Sequence, residues 1–254
     1  MIMSRFFDLL KKTLQVTPPS IGFKPAAEIS KPRMVLVASL TQAGDAAVPV
    51  KGADAAIINI GNTSARNLKT LVKNLGDIPW GLSLNNNGQN IKPGENSGAD
   101  FVVFSPDGTN LDLMGNEKIG KVMLIDPEME DSLLRASGEL PFEAVIMNRK
   151  GNITWRDLML FRKWADILPK PLLVPVPPGI REYELKAMWE AGVDGIVVEA
   201  ATGQELLALG DTINRMIVPV RHKWLKIRPL IPVLHEDHGL VPDEDDDGED
   251  DPDI

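Results

Sequence analysis

Four polar residues recur at one place in a repeated stretch. Asn59, Ser105, Asn148 and Glu199 each stand five positions after an acid (Asp54, Asp100, Glu143, Asp194), and each closes a short apolar run. The ends of other apolar runs supply Ser39, Ser83 and Asp126, with Asn85 and Arg149 just beyond. Amide and hydroxyl groups in such a ring can hydrogen-bond a small polar ligand. Asp126 and Glu199 are the carboxylates among the run ends proper. They could exchange protons as acid and base or hold a hard cation. Glu199, Asp126, Asn148 and Arg149 are therefore the expected catalytic group. Gly179, Thr202 and Gly203 could offer backbone and hydroxyl donors to a phosphate. With Ser39, Asn59, Asn85 and Ser105 they form the expected ligand-binding set. A plainer reading stands beside this one: turns and helix caps also need polar residues and glycine, and Thr202 suits a cap.

Missing residue types narrow the chemistry. The chain has no cysteine, so thiol nucleophiles, thiolate metal sites and disulfides are excluded. Its histidines, His222, His235 and His238, all follow the last helical pattern, so no serine triad or histidine-held zinc is expected at a strand end. No metal site is expected. Lys150 is the one lysine just past a run end, which makes Schiff-base chemistry a poor fit. No P-loop and no strand-borne GxGxxG is present.

The elements that must position these residues are legible. Short apolar runs cover 34–40, 55–60, 80–84, 101–104, 121–125, 144–147, 172–176 and 195–198. Their length and branched aliphatic content suit strands buried on both faces. Amphipathic stretches at 64–75, 128–136, 154–167, 181–191 and 204–216 predict helices between them. The repeat acids are separated by 46, 43 and 51 residues, about two βα units each. They therefore mark the second, fourth, sixth and eighth strands. The fold class expected is α/β, a single (β/α)8 TIM barrel with some shortened helices, an N-terminal helix and a C-terminal extension. The shortened units follow the first and third strands, where 41–52 and 85–98 carry proline and glycine in place of a helical pattern.

The expected organisation is a helix and lead-in at 1–33, the barrel at 34–218, an extended arm at 219–242 and a disordered acidic tail at 243–254. Ser4 is placed to cap a helix over 4–14, with Phe6, Phe7, Leu10 and Leu14 near one face. That helix reads as packed on the barrel floor or wall, with membrane-surface or subunit contact as the lesser alternatives. The formal charge of −9 belongs to the tail: its nine acids removed, 27 acids face 27 bases. No basic footprint for nucleic acid is present, and no apolar run spans a membrane. A cytoplasmic protein is expected. Its expected partners are a small-molecule ligand and, because strands with thin helical cover need covering, further copies of itself in a homo-oligomer.

The stretch Ala191-Gly-Val-Asp-Gly-Ile-Val-Val-Glu199 resembles the eighth-strand motif of the phosphate-binding TIM-barrel superfamily. That group includes nitronate monooxygenases, inosine-monophosphate-dehydrogenase-like enzymes and tryptophan-pathway barrels. The resemblance covers 172–203. It implies a phosphorylated ligand at the loops after strands seven and eight, with flavin mononucleotide (FMN) as a cofactor and lyase, isomerase or oxidoreductase chemistry all within the fold's range. This chain has Pro177-Pro178 and Glu199-Ala200-Ala201 where members carry paired glycines or Gly-Ser. The alternative function is a non-catalytic barrel serving as an assembly or protein-interaction module.

Overall fold

Strands that are apolar on both faces must be covered on both, and eight of them in a row meet that need by closing. In the computed structural model, which describes residues 4–14, 32–40, 50–59, 65–84, 98–199 and 203–218, they do so. The strands are β1 (Val35–Leu40), β2 (Ala55–Asn59), β3 (Trp80–Ser83), β4 (Phe101–Phe104), β5 (Gly120–Ile125), β6 (Ala144–Met147), β7 (Leu172–Val176) and β8 (Gly195–Glu199). They form a closed barrel in sequence order, with β8 parallel to β1. Helix α1 (Arg5–Leu14) precedes them. Helices α2 (Ala65–Leu75), α3 (Asp131–Ser137), α4 (Trp155–Ile167), α5 (Glu182–Ala191) and α6 (Gly203–Arg215) follow β2, β5, β6, β7 and β8. The β4–β5 connection holds only a 3-10 turn, Leu111–Gly115. By its contacts the chain divides into Met1–Lys223 and Trp224–Ile254, and the second unit lies outside the described residues. The expected arm and acidic tail therefore also lie outside them.

Local chemistry sets the helix limits. Thr154 and Asp157 form a reciprocal capping box at the start of α4. Gly192 ends α5 at φ 105°, a left-handed conformation that glycine adopts without strain. Helix α3 begins at Asp131 rather than at the expected 128, because a turn from Asp126 to Met129 follows β5 and Glu130 is the extended N-cap. Strand β8 runs one residue further than the apolar pattern predicts and takes in Glu199.

The repeat acids act at the barrel floor. Their backbone N–H groups donate to the preceding strand: Asp54 to Leu36 O, Asp100 to Trp80 O, Glu143 to Lys121 O and Asp194 to Leu172 O. Three of the side chains return the contact, accepting from the N–H of Leu36, Lys121 and Leu172. Each such acid satisfies a strand-start donor that has no ladder partner. The fourth has a different task. Asp100 accepts from the backbone N–H of Arg5 and Phe6 at 2.8 and 2.7 Å and so caps α1 together with Ser4, whose Oγ accepts from Phe7 N. The anchored helix buries Phe6, Leu10 and Leu14, a contribution of about 1.5–3 kcal/mol for each large side chain. Phe6 stacks on Phe101, centroids 4.3 Å apart. Gly81 and Gly120 make room there, since a Cβ at Gly81 would lie 2.4 Å from the Phe101 ring and one at Gly120 would lie 2.7 Å from Ser4 Oγ. Helix α1 thus packs on the barrel floor.

Glu143 gives the floor a pH signature. Burial raises its pKa above the ordinary carboxylate value, against the lowering influence of the Lys121 hydrogen bond and of nearby Lys121 and Lys170. A carboxylate raised in the folded state binds its proton more tightly there than in the unfolded chain. Its contribution is complete below the unfolded value and is lost as pH rises through the folded one. Glu143→Gln keeps an acceptor for Lys121 N and removes the titration. Urea unfolding of both proteins from neutral pH downward should show the wild type gaining on the variant as pH falls toward the carboxylate range. A difference independent of pH would sink this account.

Candidate functional site

Register decides which side chains look inward. Paired residues of neighbouring strands share a face, and successive residues along a strand point to opposite faces. Val102, Phe104 and Leu84 pack on Leu113 and Ile119 of the β4–β5 connection, which makes theirs the outer face. The opposite face carries Val103, which pairs with Ser83, which pairs with Asn59. It also carries Ser39, paired with both Ile57 and Glu199. So Ser39, Asn59, Ser83 and Glu199 all face the barrel interior at its C-terminal end.

Two hydrogen bonds link members of this ring. Asn59 Nδ2 donates to Ser39 Oγ at 3.3 Å. Asn148 Nδ2 donates to Asp126 Oδ1 at 2.6 Å, while the Asn148 backbone N–H extends the ladder to Ile125 O. Asn148 and Asp126 are exposed, Ser105 is half-buried just past β4, and Glu199 is exposed at the tip of β8. Asn85 and Thr202 lie outside the described residues.

Arg149 is held by the protein itself. Its side chain is 6% exposed. Nε pairs with Asp157 at 3.3 Å, Nη1 donates to Pro175 O, and Nη2 donates to Lys150 O and Asn152 O. The guanidinium therefore ties the β6–α4 loop to the end of β7 and to the α4 capping box.

Gly179 and Glu199 border a cavity of about 240 Å³ between the β7–α5 loop and α6, with Ile180, Glu205, Leu209 and Thr212 also lining it. Gly179 has neither a positive φ nor a neighbour within 4 Å of a built Cβ, so neither turn geometry nor packing there demands glycine. Gly203 is the first residue of α6, and Glu205 is the acid in its first turn. Glu205 and Thr212 carry no signal of a site in the sequence. They sit at helical spacing in α6, and nothing in their pattern separates them from an ordinary solvated face. Among the described residues no cluster of three or more metal-ligating side chains occurs, and no helix is long and apolar enough to cross a membrane.

The fold defines a (β/α)8, or TIM, barrel with a polar C-terminal mouth. No family model matches the sequence, and no curated protein matches it either. Solved structures do match in shape. Tryptophan synthase from M. tuberculosis is 14% identical, with 84% of this chain and 98% of that chain covered at a TM-score of 0.54. Orotidine 5'-phosphate decarboxylase from Pyrococcus horikoshii is 16% identical, covering 72% and 100% at 0.54. Thiamine phosphate pyrophosphorylase from Pyrococcus furiosus is 15% identical, covering 70% and 93% at 0.51. At these identities the likeness establishes the TIM-barrel fold.

Proposed function

We propose that this barrel binds a small polar metabolite at its C-terminal mouth. One observation carries the reading: the register turns the polar strand ends Ser39, Asn59, Ser83 and Glu199 to the same interior face. Barrels of this class place their sites at that end. Ser39, Asn59 and Ser105 supply hydrogen bonds to ligand hydroxyl, amino or carbonyl groups. Asp126 and Glu199 are the acid–base candidates, Asn148 orients Asp126, and Arg149 holds the loop that carries Asn148.

A phosphorylated metabolite is the second reading. It is supported by the cavity beside Gly179 and the start of α6, where barrels often seat phosphate. It is supported too by two fold neighbours whose names include phosphate compounds. Glu199 and Glu205 border the same cavity and oppose a dianion there. The residues around Gly179 and Gly203 also leave FMN a poor fit for the same reason. The unphosphorylated ligand is therefore preferred.

Native mass spectrometry of the freshly purified chain, followed by thermal-shift titration with polyols, amino sugars, sugar phosphates and inorganic phosphate, tests both. The preferred reading expects a stoichiometric ligand or saturable stabilisation by an unphosphorylated compound. Asn148→Ala with Glu199→Ala should weaken that response at least about tenfold, the cost of losing one or two charge-assisted hydrogen bonds. Stabilisation confined to phosphate compounds would favour the second reading. An empty protein that answers none of these probes would favour the assembly-module alternative.

A further inference from the structure

Register turns two carboxylates into the mouth. Val103 pairs with Val122, so β5 sends Val122 and Leu124 inward, and the alternation carries on to Asp126. Leu124 pairs with Ile146, and the same alternation reaches Asn148, whose N–H still bonds Ile125 O. Asp126 therefore shares the interior face with Glu199 of β8. None of the strand ends turned inward is a base. Arg149, next in sequence to Asn148, is 6% exposed and spends its N–H groups on Asp157, Pro175 O, Lys150 O and Asn152 O. Below the ring Leu124 and Pro175 are only half-buried, which leaves apolar surface open on that face.

A second group asks for a ligand atom. Ser39 is the register partner of Glu199 on the next strand and is 9% exposed. Its Oγ accepts from Asn59, while its own O–H meets no acceptor among the described residues. A buried hydroxyl donor left unspent is costly, and a ligand oxygen beside Glu199 would satisfy it. Neighbouring strands lie about 4.8 Å apart, so one small molecule can reach both groups.

Charge selects its class. A phosphate dianion is repelled by both carboxylates. Calcium takes about six to eight oxygen ligands. Among the described residues no group of three or more metal-ligating side chains occurs to supply them. An ammonium needs only a carboxylate and neutral acceptors for its three donors. The cavity beside Gly179 has the same sign, since Glu199 and Glu205 border it and no base does.

Given a polar-metabolite site at the mouth, on which this rests, we infer that its ligand is a small hydroxylated amine, an amino sugar or amino alcohol, with the ammonium on Glu199 and an oxygen on Ser39. Isothermal titration calorimetry of the full chain with glucosamine, N-acetylglucosamine and glucose holds the sugar ring constant and varies the charge. Serinol against glycerol does the same at smaller size. In at least one of these sets the amine should bind at least about tenfold tighter than its neutral partners, the margin of a charge-assisted over a neutral hydrogen bond. Glu199→Gln should remove that margin. Its unliganded thermal unfolding should match the wild type, since Glu199 is exposed. Ser39→Ala should weaken the amine and its neutral partners alike. Equal binding of amines and neutral compounds would overturn the inference and leave the mouth a polyol site. A margin that survives Glu199→Gln would overturn it too, as would tighter binding of glucosamine phosphate than of glucosamine, or saturable binding of magnesium or calcium alone. Failure of every compound to bind would bring down the mouth reading with it.

Discussion

Phe101→Ala is expected to destabilise the fold by about 3–5 kcal/mol, the range for removing a fully buried aromatic ring without collapse of its site. Collapse is hard here. The ring fills space left by Gly81 and Gly120, and no side chain on those two residues can move in to replace it. It also carries the stack with Phe6, through which α1 is seated. A double-mutant cycle with Phe6→Ala should therefore return a coupling of about 0.5–1.5 kcal/mol. Urea unfolding gives both numbers. A loss under about 1 kcal/mol for Phe101→Ala would mean that the floor is not packed as described. A zero coupling would detach α1 from the barrel's stability.

Asp194→Ala is the second large effect. Asp194 is 1% exposed, and its carboxylate accepts from Leu172 N at 2.9 Å, while its own N–H bonds Leu172 O. Truncation leaves the Leu172 N–H buried without that acceptor, a cost of about 1–3 kcal/mol and more where the bond is charge-assisted. Asp194→Asn keeps an acceptor of nearly the same shape and should recover most of the loss. Amide exchange at Leu172 separates this account from general softening. The N–H should become unprotected in the alanine variant and stay protected in the asparagine variant. Equal destabilisation by both substitutions would show that charge, rather than the acceptor, is what the floor requires.

The same acids show how far the sequence could be read. As a fourfold mark they located the even strands, because each occupies the same place in a two-unit repeat. Their partners were not legible. Asp54, Glu143 and Asp194 reach back 18 to 22 residues to strand-start amides, yet Asp100 reaches 94 and 95 residues to the first turn of α1. Nothing local distinguishes Asp100, since the difference lies in where the N-terminal helix docks. Arg149 makes the same point. It reads as a cation at a strand end, but Pro175 O and Asp157 close around it only once β7 and α4 are in place.

By itself the sequence determined the strand and helix order, the eight-unit count and the polar character of the strand ends, because continuous apolar runs, period-3.6 patterns and turn residues act over a few positions, and the repeated acids set the count. The length of α3 and the last residue of β8 differed by small margins, as capping and ladder bonds outrank apolar pattern at element ends. Tertiary structure alone decided which way the strand ends face. A shift of one residue in the register of any one strand would turn its polar end, Ser39, Asn59, Ser83 or Glu199, outward, and pairing around the closed barrel fixes that register.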